Sequence, residues 1–71
     1  MKTTHQEFQE ENHKIRNATH RTSLTGIETF LTKLKNTYLN DPEISAKTKR
    51  SVKKDYNQSM KLIRAMKKKL K

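Results

Sequence analysis

The sequence predicts an all-α fold, an antiparallel helical hairpin preceded by a shorter, weaker helix. Three observations predict it. One Gly and one Pro in 71 residues leave few places to turn, and no β-hairpin signal is present. Apolar residues recur at helical spacing in two long segments. Helix-start patterns occur at three points along the chain.

The first start is Thr4-His5-Gln6-Glu7, a capping-box pattern that opens a helix over about residues 4–19. Phe8 and Ile15 share its apolar face, but polar Asn12 and Thr19 lie on that face too. An isolated helix of this length is marginal in water, so residues 1–22 read as a polar helix or arm that needs docking.

Thr25-Gly26-Ile27-Glu28 repeats the pattern and opens a second helix over about 24–39. Leu24, Ile27, Leu31, Leu34 and Tyr38 step by 3, 4, 3 and 4 residues, a coiled-coil-like seam. Phe30 is expected to widen this stripe toward the core.

At Asn40-Asp41-Pro42-Glu43, Asp41 suits the cap and Pro42 the first helical position, which opens a third helix over about 42–70. Its seam is Val52, Tyr56, Ser59, Ile63, Met66 and Leu70. At 1.5 Å per residue the third helix would measure about 40–45 Å and the second only about 24 Å. The C-terminal third therefore needs a cover: the first helix, a second copy or another partner.

Residues 1–71 make one domain at most, with 23–71 as the hairpin. Only 30% of the chain is apolar, and it sits near the lower limit for independent folding. With no Cys, a disulfide is impossible, so a homodimer or a bound partner is the expected staple. The absence of Cys, the polar N-terminus and the lack of a signal-type apolar stretch point to the cytoplasm. No run approaches the ~20 apolar residues of a membrane-spanning helix. Richness in Lys, Asn and Thr fits an AT-rich genome, such as those of many bacteria and their mobile elements.

The charge is local. Residues 43–71 carry eleven basic and two acidic side chains, nine of the ten net positive charges, whereas residues 1–42 carry six against five. On a wheel of 100° per residue, Val52, Ile63 and Leu70 fall at about 80–100°. Lys47, Arg50, Lys53, Lys54, Lys61, Arg64 and Lys68 fall between about 180° and 300°, nearly opposite. Lys67 lies with Lys49 near about 140°, where a long side chain is expected to snorkel outward and join the ridge.

Such a ridge suits phosphates, the DNA or RNA backbone above all. Lys outnumbers Arg thirteen to four, which favours point-charge contact with the backbone over guanine reading. Asn57 stands among these cations as the candidate base contact, since Asn can read adenine. Like-charged pairs such as Lys49–Lys53, Arg50–Lys54 and Arg64–Lys68 destabilise a helix, a cost that simple solvation does not require. The competing reading is a helical adaptor, assembly factor or phage inhibitor that docks the ridge on an acidic protein or nucleoprotein surface. A membrane surface fits less well, because residues 43–71 contain no Trp or Phe.

Nothing in the sequence supplies reaction chemistry, and neither a cofactor nor enzymatic activity is expected. His5, His13 and His20 would stand about 10–12 Å apart on a helix, too far to share a metal ion. There is no phosphate-cradling glycine loop and no nucleophile motif. Glu7, Glu10 and Glu11 offer an acidic patch on the first helix. Tyr38 and Tyr56 sit on the seams, where core packing is their expected role.

Overall fold

A computed structural model describes residues 3–70; Met1, Lys2 and Lys71, the ends of the expected 1–71 domain, lie outside them. The described residues form three helices and no strand: α1 Thr4–Arg16, α2 Arg21–Asn40 and α3 Ala46–Lys69. The end of α1 and the starts of α2 and α3 differ from the sequence expectation.

Helix α1 begins at residue 4, as expected, and ends three residues short. Thr3, not Thr4, is the cap: its Oγ1 accepts the Gln6 amide at 3.1 Å, and Gln6 Oε1 accepts the Thr3 amide at 2.9 Å. This reciprocal pair leaves Glu7 free to act elsewhere. Asn17 ends the helix by donating its side-chain amide to the His13 carbonyl at 2.9 Å. Thr19 is therefore outside the helix.

Helix α2 starts at Arg21, so the expected cap at Thr25 is interior. Leu24 is fully buried together with Leu31 one heptad on, so both lie on the core face of this longer helix. The Thr25 hydroxyl donates back to the Arg21 carbonyl at 3.2 Å, and Thr29, Thr32 and Thr37 repeat this contact one turn back. These bonds keep the hydroxyls from competing with the helix. Phe30 lies outside the core arc and is 50% exposed, contrary to expectation, because Leu24, Ile27, Leu31, Leu34 and Tyr38 already fill that arc.

Helix α3 starts at Ala46 rather than Pro42. Asp41 Oδ1 accepts the Glu43 amide at 2.9 Å, two residues on, and so forms a turn instead of a helix cap. Ser45 caps the helix, accepting the Thr48 amide at 3.2 Å. The α2 and α3 lengths of 20 and 24 residues correspond to about 30 and 36 Å, so most of the expected overhang disappears.

The core contains two fully or almost fully buried apolar residues from each helix: Phe8 and Ile15, Leu24 and Leu31, Val52 and Ile63. Leu62, Met66 and Leu70 pack against this cluster, to which α1 contributes Phe8 and Ile15. Residues 4–16 are thus a docked helix and not an arm.

The polar defects of the two stripes meet. Ser59 is fully buried and donates to Asn12 Oδ1 at 2.6 Å, with Asn12 itself buried. One turn away, the buried carboxylate of Asp55 takes His5 Nδ1 at 3.2 and 3.3 Å. Tyr38 donates its hydroxyl to Glu7 Oε2 at 2.8 Å, tying α2 to α1. That bond, burial and the Glu7 charge together raise the Tyr38 pKa above the usual tyrosine value. No buried side-chain polar atom among the described residues lacks a partner.

Candidate polyanion-binding face

The core stripe of α3 fixes what its other side presents. With Val52, Ser59 and Ile63 turned inward, Lys47, Arg50, Lys53, Lys54, Lys61, Arg64 and Lys68 are all exposed. Six of them align with Asn57 as Lys47, Arg50, Lys54, Asn57, Lys61, Arg64 and Lys68, stepping by 3 and 4 residues in alternation. The row extends for about 32 Å at 1.5 Å per residue, most of the length of α3. Lys53 lies beside it toward α2.

No acid interrupts this row. The ridge cations make no ion pair or hydrogen bond among the described residues, and Asn57 is exposed with its amide uncommitted. Two lysines outside the ridge are paired. Lys14 holds Glu11 at 3.0 Å. Lys67 holds Glu28 of α2 at 3.3 Å and is half-buried, so it braces α2 against α3 instead of joining the ridge. Sequence spacing placed Lys67 at the edge of the apolar stripe; the acid opposite it became visible only with α2 in position. Lys49 is also half-buried.

Toward α2 the ridge borders a groove that the sequence did not disclose. Tyr56 forms part of it, with its hydroxyl 3.0 Å from Thr32 Oγ1 and the Lys35 ammonium 4.3 Å from its ring centre. Lys35 is thus a further cation near the candidate face, contributed by α2. Its distance from the ridge in sequence hid the association.

No group of three or more His, Asp or Glu among the described residues is placed to hold a metal ion. Of the expected acidic patch on α1, Glu7 is engaged by Tyr38 and Glu11 by Lys14. Among the described residues no helix is long and apolar enough to cross a membrane.

No protein-family model, no curated protein and no solved structure matches the chain.

Proposed function

We propose that this chain is a non-catalytic, cytoplasmic nucleic-acid-binding protein that grips phosphates through the outer face of α3 with little sequence specificity. The observation that carries the reading is the uninterrupted, unpaired row of cations on the side of α3 opposite the core. Lys14, within α1, and Lys67, between α3 and α2, each have an acid within 3.0–3.3 Å, and the ridge cations have none. Like charges three and four residues apart cost a helix a few tenths of a kcal/mol per pair. A polyanion offsets that cost and gains the entropy of released counterions.

The scaffold in this reading is an antiparallel α2–α3 hairpin. Glu28, early in α2, meets Lys67, late in α3, while Thr32 and Lys35 meet Tyr56 nearer the middle. The expectation of a dimer rested on an uncovered end of α3. A homodimer remains part of this reading, and sedimentation of the full chain against one lacking residues 1–22 tests it.

The test is binding of the purified chain to unrelated duplexes of about 30 base pairs. If six or more phosphates are contacted, affinity falls roughly 10³–10⁵-fold between 50 and 200 mM salt. Replacing Arg50, Lys53, Lys54 and Lys61 together with Gln lowers the slope of log K against log salt by about 3–4. Absence of binding even at low salt defeats the proposal and favours an acidic protein surface as the partner of the ridge.

A further inference from the structure

We propose that the α2–α3 groove is a site for single-stranded polynucleotide, in which one unpaired base stacks on Tyr56 while its phosphates lie on the flanking cations. The inference rests on the phosphate-binding reading and adds the strand type and a base site. The groove consists of two depressions that share Tyr56 and Asn57. The larger, about 440 Å³, also includes Met60, Lys61 and Arg64; the smaller, about 230 Å³, includes Lys35 and Lys53. An aromatic ring and a free amide thus lie between cationic ends. Lys53 and Lys61 stand about 12 Å apart along α3, one turn to either side of Asn57.

Tyr56 is fixed before any ligand arrives. Its ring packs against the core and its hydroxyl is held by Thr32, so a base stacking on it need not order the side chain. The Lys35 ammonium, 4.3 Å from the ring centre, occupies a position over the ring. A cation over a partly exposed aromatic ring is held less firmly than a stacked base, and the flexible Lys35 stem lets the displaced ammonium turn to a neighbouring phosphate of the strand. Asn57 then offers a donor and an acceptor to the base edge. A duplex cannot use this arrangement, because its base faces are already stacked on one another. Glu28 is the acid in this groove, and Lys67 holds it.

The experiment compares single strands of about 12 nucleotides in low salt by fluorescence anisotropy. Thymidine and uridine strands are set against an abasic strand with the same number of phosphates. A base-bearing strand is expected to bind about 10-fold tighter than the abasic one. A gain with thymidine, uridine or both supports the site and identifies DNA or RNA as its source. Tyr56→Leu removes the gain but leaves the salt slope, whereas Tyr56→Phe retains it. Circular dichroism checks both folds; if Tyr56→Leu does not fold, the wild-type comparison with the abasic strand decides. Equal, salt-dependent binding of all strands overturns the base site while leaving the phosphate grip intact. Failure of every strand to bind at low salt removes both.

Discussion

Helices α1 and α2 flank the same helix but bury different chemistry. The buried residues of α2 are Leu24 and Leu31, whereas α1 buries Glu11 and Asn12 beside Phe8 and Ile15. Across from Asn12 and His5, α3 supplies Ser59 and Asp55. The apolar side tolerates small shifts in register, since burial is non-directional. A short hydrogen bond between two buried groups does not, because sliding either helix by one turn leaves a donor or acceptor without a partner. The difference suggests that α2 supplies apolar burial while the polar pairs of α1 select where it docks.

The largest effect that separates the two sides is expected at the apolar one. Leu31→Ala removes a fully buried side chain and should cost about 2–5 kcal/mol, read as a drop in the urea midpoint. On the polar side, Ser59→Ala strands Asn12 and should cost about 1–3 kcal/mol. Adding Asn12→Leu to it removes both polar partners together and should recover most of that loss. A double variant as unstable as Ser59→Ala alone would show that the polar pair does not select the docking position.

A smaller effect is expected where α1 meets α2. Tyr38→Phe deletes the bond to Glu7 and should cost about 1 kcal/mol at neutral pH. The folded-state pKa of Tyr38 is raised, so its contribution is fully present below the unfolded tyrosine value of about 10 and is lost as pH rises through the folded value. Denaturation followed above about pH 10 should show a fall in the wild type that is reduced in Tyr38→Phe. Helix ends give effects of similar size. Ser45→Ala should cost about 1 kcal/mol through loss of the α3 cap, whereas Thr25→Ala, inside α2, should change stability by only a few tenths. One substitution should be a gain: Gly26 lies within α2 with nothing within 4 Å of a Cβ there, so Gly26→Ala should stabilise by about 0.5–1 kcal/mol.

Helix starts were the least legible feature of the chain. Thr3, Thr4, Thr25, Asp41 and Ser45 all carry a capping oxygen. Of these, Thr3 and Ser45 accept a first-turn amide, whereas Thr25 lies inside α2 and Asp41 forms a turn. The candidate face was partly legible. The cationic ridge follows from spacing along one helix, but Lys35 and the Tyr56 groove require a second helix beside it, as does the withdrawal of Lys67 by Glu28.

By itself the sequence determined the helical class, the apolar seams of α2 and α3 and the cationic side of α3. Each is a periodic property of a single segment, and 100° per residue suffices to read it. Only the tertiary structure decided that α1 docks, that Asn12 and Ser59 complete each other, that Phe30 faces outward and that Tyr56 lines a groove between cations. These depend on pairs of residues remote in sequence. A polar residue on an apolar stripe counts as a defect until its partner is brought within hydrogen-bonding distance.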